Sequence, residues 1–424
     1  LPTWLRGDKT SATTSAGDLA LVTVAEDPAG MHKTSSLRST WRPATLLACV
    51  FASIMAGSSL PTPMYALYAQ RMHFGALTTT IVFAAFIPGV LFGLLAFGRW
   101  SDAVGRRPML LAGLAGALAS ALVFLTAGTV LQLLAGRALS GLSVGVAIGA
   151  ATAAVIEAVP PSRRAHATAL ATIANSGGVG LGSALTGLLV QYAPHPLQSP
   201  LIVHVVLVVV AGAGVLGADE TSTRTAGVGV QRLSVPKPAR RAFVTAATTA
   251  FAGSAVMGTF GVIGPWFVSN IHGVSNHAVA GAVAGAPYVA SAVTQVVGRH
   301  LNPRRAVALG SAGLVIGTVI VAVSLWTTSV AALIVGGVVE GAGQGVTFSR
   351  GMAALVDRTP TDRRAEISST YFTVAYIGIA LPVIGQGLAA QACGLRTAGV
   401  TFALAAAALA AVCVASVLIQ DARH

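Results

Sequence analysis

The sequence predicts an all-α polytopic membrane protein, with twelve transmembrane helices in two pseudo-symmetric six-helix bundles. Three observations carry that expectation. Only 9% of the 424 residues are charged and 54% are hydrophobic, against roughly 25% charged in a soluble domain, and mean hydropathy is +0.77. Such a chain has too little polar surface to stay in water. Apolar runs recur at near-regular intervals, and each is about the ~20 residues that one bilayer crossing takes. One half of the chain also repeats in the other.

Taken in order, residues 1–40 are rich in Ser, Thr, Ala and Gly and hold no spanning run. That is the composition of a disordered tail, expected to reach residue 43 and to lie in the cytoplasm. It carries neither the apolar core nor the small-residue cleavage site of a signal peptide. The chain begins with Leu1, and Met31, followed by Lys33, Arg38 and Arg42, is an alternative start. The first bundle, 44–218, has predicted spans at 44–69, 78–98, 108–128, 130–158, 166–191 and 200–218. A polar linker, 219–241, carries Arg224, Arg232, Lys237, Arg240 and Arg241 with Pro236 and Pro238. The second bundle, 242–419, has spans at 242–269, 277–298, 306–326, 329–356, 366–391 and 396–419, and 420–424 is a short tail. Glycine is abundant at 48 residues, and small residues let membrane helices approach closely.

The repeat is visible residue by residue. Glu157-Ala-Val-Pro160-Pro-Ser-Arg163-Arg164 recurs as Asp357-Arg-Thr-Pro360-Thr-Asp-Arg363-Arg364, and Gly141 and Gly145 return as Gly341 and Gly345. An internal period of half the chain means two copies of one structural unit, a known transporter plan.

The net charge of +13 raises a nucleic-acid reading, since basic domains bind phosphates. The basic residues instead sit in short runs between apolar segments without interleaved aromatics, which excludes nucleic acid as a partner and fits the surface of a lipid bilayer. With the N-terminus inside, 22 of the 26 Lys and Arg fall in cytoplasmic segments. Arg71 and Arg396 fall outside, while Arg137 and Arg350 lie within predicted spans. By the positive-inside rule both termini are cytoplasmic and the protein is multi-pass in the cell's inner or plasma membrane. Cys49, Cys393 and Cys413 have no partners at metal or redox spacing and read as packing residues.

Between the second and third spans lies a polar island, Gly98-Arg-Trp-Ser-Asp102-Ala-Val-Gly105-Arg106-Arg107-Pro108. Asp102 can cap the next helix, where free N–H groups and the dipole favour an anion. Gly105 supplies the positive φ or the close backbone approach that a tight turn needs, and Arg106 and Arg107 suit an anionic membrane surface. The spacing G-x-x-x-D-x-x-G-R-R resembles the signature loop of the major facilitator superfamily. Its second copy keeps Gly298, Arg299 and Arg305 but has Asn302 where the acid stood. The resemblance covers roughly residues 40–420 and points to the proton-coupled drug and metabolite efflux branch. It implies alternating access around a central cavity, with Asp102 meeting the start of the eleventh helix and Arg106 pairing with Glu157 as a gate.

Few polar residues lie deep in the spans. Glu340 is ~17 Å along its helix, near the middle of a ~30 Å hydrocarbon core, where a carboxyl is functional by default; a structural, protonated or amide-paired Glu is the alternative. Gln344 and Thr347 extend a polar stripe on the same face, which favours a water-lined cavity. Arg137 lies ~10 Å into the fourth span and opens R-x-x-x-G-x-x-x-G, similar to the family's helix-4 motif, with Ser140 where the family has Gln. It either faces a cavity or snorkels outward. If the two halves place them at similar depth, Glu340 carries the proton and Arg137 modulates it across the cavity or contacts substrate. Asn175, Tyr371 and Tyr376 are further polar points, and Tyr65 is either an interfacial residue or a gate and substrate contact. Trp266 and Tyr288 are aromatic candidates of unknown facing, and His204 reads as a satisfied lone His. Gly178-Val-Gly-Leu-Gly182-Ser183-Ala-Leu-Thr186-Gly187 resembles the glycine motif of the family's antiporters, departing from it at Ser183 and Thr186.

No Walker loop, metal-ligand pair, nucleophile triad or dinucleotide fingerprint appears, so neither an enzyme nor a cofactor is expected. The expected partners are a small-molecule substrate, protons and the bilayer, with the protein acting as a monomer. Proton-coupled efflux is the first reading. Proton-linked uptake, and a non-transporting solute sensor or assembly factor on the same scaffold, stay open. A cysteine introduced into 219–241 should resist an impermeant thiol reagent applied to intact cells; ready labelling there overturns the predicted orientation.

Overall fold

Lipid offers no partner to a bare N–H or C=O, so a spanning segment must satisfy its backbone internally. The predicted spans accordingly fold as helices. The computed structural model describes residues 41–222, 227–360 and 363–421, and their side chains except at 303, 304 and 413–421. The expected N-terminal tail to residue 40, Met31 and the Cys413 side chain lie outside the described residues. Twelve helical spans are present among the described residues. They are α1 (Arg42–Met72), α2 (Ala76–Phe97), α3 (Arg106–Leu125), α4 (Val130–Glu157), α5 (Pro161–Tyr192) and α6 (Ser199–Leu216), followed by α7 (Lys237–Asn270), α8 (His277–His300), α9 (Arg305–Thr327), α10 (Val330–Asp357), α11 (Arg364–Cys393) and α12 (Leu395–Val412). No strand occurs among the described residues.

Three spans are irregular where the cavity forms. α1 stops at Ser59, passes through a 3-10 turn, Thr62–Met64, and resumes at Tyr65, because Pro61 and Pro63 lack the N–H that a continuous helix needs. α2 breaks after Ala84 and restarts at Phe86; the ring of Pro88 stands against the carbonyl four residues back. α5 contains a π-helical turn, Ile173–Gly177, a rare form that displaces side chains from the regular helical register.

α4 packs against α1, α2 and α3, and α10 packs against α7, α8 and α9. The glycines repeated in sequence make these approaches possible. A Cβ on Gly141 or Gly145 would collide with the backbone of α2 at Phe86 and Val90, and one on Gly341 or Gly345 with α8 at Pro287 and Ser291. The halves meet by the same device: a Cβ on Gly281 of α8 would lie 2.8 Å from the Cα of Gly187 in α5. Near the end of α1, residues Leu60, Met64, Tyr65 and Tyr68 join Val256, Phe260, Ile263 and Phe267 of α7 in one apolar core, which closes this distal end. At the opposite end the linker backbone spans both halves. Gln231 N–H donates to the Leu95 carbonyl at 2.7 Å, and Ser234 N–H donates to the Thr370 hydroxyl at 3.0 Å.

Neither Cys49 nor Cys393 is a packing residue: both are exposed on the helix surface. For Gly141, added volume has nowhere to go, and overpacking costs typically 1–3 kcal/mol. Gly141→Ala is expected to lower the melting temperature of the purified protein by several degrees, whereas Gly149→Ala, where a Cβ meets nothing within 4 Å, leaves it within a degree. Equal melting temperatures would show that α2 and α4 do not need this close contact.

Candidate functional site

The irregular parts of α1, α2 and α5 come together with α4, α7, α8 and α11 around a cavity of about 150 Å³. Arg137 supplies its charge; Asn175 and Ser176, both in the π-turn, and Tyr376 supply polar groups; and Tyr288, Phe83 and Phe86 supply rings. The break in α1 explains how the charge is held. The last carbonyls of a helix have no donor of their own, and the carbonyl of Ser58 accepts a hydrogen bond from Arg137 Nη1 at 2.6 Å. The guanidinium carbon also lies 5.2 Å from the Phe83 ring centre and 4.6 Å from that of Phe86. Arg137 is 1% exposed, which decides against outward snorkelling. Its Nε has no partner, and no acidic residue lines the cavity. Desolvating a guanidinium costs several kcal/mol, and one carbonyl with two ring faces offsets only part of that.

Of the polar residues picked out in the sequence, Arg137, Asn175 and Tyr376 line this cavity together. Glu340 does not, and the expectation that it faces Arg137 across the cavity is corrected. Its carboxyl accepts a hydrogen bond from Thr318 of α9 at 2.6 Å, while the second oxygen has no partner. The repeat supplies the reason. Position 340 corresponds to Ser140, and Ser140 sits with Ala117 and Ser120 of α3; in both halves this position faces the third helix. Position 337, the equivalent of Arg137, is instead a glycine facing Phe260 and Pro287.

The rest of the predicted stripe also points into the protein rather than into the cavity. Gln344 accepts a hydrogen bond from the Ser291 hydroxyl of α8 at 2.6 Å. Thr347 donates to the Gly343 carbonyl of its own helix and packs beside Gly310 of α9. Tyr371 donates to the Phe348 carbonyl at 3.1 Å. Tyr65 belongs to the distal apolar core, with no partner for its hydroxyl. His204 is not satisfied either: it is buried against Gly57, and its Nδ1 has no partner. Sequence reasoning missed Phe83, Phe86 and Ser176 as cavity residues. Of these only Phe83 and Phe86 carried a signal, lying either side of the break near Pro88.

The 98–108 loop makes the expected Arg106–Glu157 pair but places Asp102 differently from the expectation. Gly98 ends α2 and leads into a short helix, Trp100–Val104. Gly105 has φ 119°, the left-handed backbone that glycine allows. Arg106 donates to both Glu157 oxygens, at 3.2 and 2.9 Å. It also pairs with Asp102 and bonds Ser101. Asp102, half exposed, is thus held by Arg106 of its own loop rather than meeting α11. Nor does it cap α3. That role falls to Glu220 of the linker, whose oxygens accept from the N–H groups of Arg106 and Arg107 at 2.8 and 3.1 Å. Arg107 reaches the Leu216 carbonyl at the end of α6.

Comparison with known proteins bears on both features. The sequence profile of the Major Facilitator Superfamily matches the chain in two overlapping stretches, residues 46–381 and 246–424. The class E tetracycline resistance protein of Escherichia coli is 31% identical over 105 residues. That stretch is 25% of this chain and 25% of that protein, so the chain matches a quarter of the relative's length.

The capping geometry leads to a direct test. Losing an N-cap carboxylate costs roughly 0.5–2 kcal/mol, and here it would also free the linker from α3. Glu220→Ala is expected to speed proteolysis within 219–241 at least threefold while helix content stays unchanged; an unaltered cleavage rate would remove Glu220 from this role.

Proposed function

The chain belongs to the Major Facilitator Superfamily, and from that premise we propose that it exports a drug-like compound or metabolite in exchange for protons. Membership itself makes it a multi-pass membrane transporter of a small molecule, not an enzyme. The observation that carries the finer reading is the cavity between the halves, with a buried charge and an aromatic lining at its centre. Such a site can be exposed alternately by rocking one half against the other. The excess of Lys and Arg at the linker end supports placing that end and both termini in the cytoplasm. The distal apolar core is then the outer seal. The relative's title, a resistance protein, supports outward transport. One chain supplies every wall of the cavity, which supports action as a monomer.

For the proton, Glu340 is the candidate. It is 2% exposed, and one carboxyl oxygen lacks a partner; an ionisable group at that depth is a functional candidate by default, and a carboxyl is one that can take up and release a proton. From its position on α10, turned toward Thr318 of α9, it acts within the second half rather than through Arg137. Arg137, in the cavity, contacts the solute. The test uses the full chain in liposomes with a transmembrane pH gradient and tetracycline, the solute in the relative's title, as first probe. Wild type is expected to accumulate the probe against its gradient. Glu340→Gln is expected to lose at least tenfold of that gradient-driven rate and to keep solute exchange at equal pH. Undiminished gradient-driven flux in this variant would take the proton from Glu340.

A further inference from the structure

The cavity holds a cation that the protein does not neutralise, and that selects what can enter. We infer that the cavity takes a solute bearing a planar acidic group, a carboxylate or its equivalent on an aromatic ring, and binds it at Arg137; this rests on the transporter reading above. The described acids are all engaged or placed elsewhere. Glu340 is turned to Thr318, and Asp102, Glu157 and Glu220 gather at the 98–108 loop. Asp219, Asp357 and Glu366 flank the helix ends at the linker end. None lines the cavity. A counter-charge for Arg137 therefore has to arrive with the solute.

The orientation of the guanidinium sharpens the class. Nη1 is committed to the Ser58 carbonyl, and Nε is buried without a partner. Nε and Nη2 form the side of the planar fork that matches the two oxygens of a carboxylate in a bidentate pair. Phe83 and Phe86 lie beside the same guanidinium, so a flat ring carried by the anion meets aromatic surface. Asn175, Ser176 and Tyr376 add hydrogen-bonding groups around it. The volume, about 150 Å³, is that of a cavity able to enclose one benzene-sized ring, so it is the acidic ring of a larger solute that is enclosed. An organic cation would place like charges together beside a guanidinium that no acid of the cavity offsets, which disfavours it.

Three probes of one shape isolate the charge: benzoate, benzamide and benzamidinium. Their binding to the purified full chain in nanodiscs at pH 7.5 is measured by ligand-observed NMR titration, with empty nanodiscs as the blank for lipid partition. Benzoate is expected to bind at least tenfold more tightly than benzamide, and benzamidinium most weakly. In Arg137→Gln the preference for benzoate over benzamide should fall to within threefold, and Arg137→Lys should keep part of it. No binding of benzoate above the blank, equal binding of the three, or a preference for the cation overturns the inference. The wild-type ordering decides the matter even where Arg137→Gln does not fold. Gradient-driven flux in liposomes separates this from the transport reading. If flux fails while the charge ordering holds, transport falls and the anion site stands. If flux proceeds without the ordering, the anion site falls alone.

Discussion

The arrangement of the bundle depends on how near α4 and α10 come to the helices beside them. Lipid tails are as apolar as leucine, so no hydrophobic force draws two membrane helices together, and close contact must supply the attraction instead. Gly141 and Gly145 against α2, and Gly341 and Gly345 against α8, permit that contact at equivalent places in each half. The consequence is rotational as much as translational. Once these glycines are seated, every other position on α4 and α10 has its facing fixed. Residues 137 and 337 turn toward the first two helices of their half, whereas 140 and 340 turn toward the third. The packing of four glycines thereby decides that the arginine lines the cavity and the glutamate does not.

That division marks what the sequence could and could not reveal. Twelve spans were legible because lipid imposes a length and an apolar composition that few other constraints imitate. The glycine repeat was legible because both halves had to solve one packing problem. Facing was not. Glu340, Gln344 and Thr347 form a polar stripe, and a stripe shows which side of a helix avoids lipid. The interior of a bundle avoids lipid as surely as a cavity does, and hydrogen bonds to Thr318 and Ser291 engage polar groups there, even though one Glu340 oxygen is left unpaired. The π-turn at Ile173–Gly177 left no local trace either, since neighbouring helices and not propensity select it. It nevertheless delivers Asn175 and Ser176 to the cavity. Glu220 was passed over for a related reason: its partners, Arg106 and Arg107, are more than a hundred residues away, and a cap made from that distance is invisible to a local pattern.

The loop that first suggested the family also changes meaning once its partners are known. The Arg106–Glu157 and Arg106–Asp102 pairs join α3, α4 and the loop before α3, all within the first half. They stiffen that half but do not fasten it to the other. Exposed ion pairs contribute only ~0–1 kcal/mol each, so they suit this modest role.

The linker does cross between the halves at this end, beside a direct bond from Gln295 of α8 to Ser176 of α5 at 3.1 Å. Glu220 ties its beginning to the N-terminus of α3, Gln231 bonds the end of α2, and Ser234 bonds Thr370 of α11. Each hydrogen bond is worth roughly 0.5–1.5 kcal/mol net, and ~1.4 kcal/mol shifts a two-state equilibrium tenfold. Two or three such bonds are therefore enough to bias the two halves toward contact at this end without locking them together. A separation of the halves at the linker end would have to break the Gln231 or the Ser234 contact, because those two bonds anchor one short stretch of backbone to different halves. The Arg106–Glu157 pair, made within the first half, carries no such constraint.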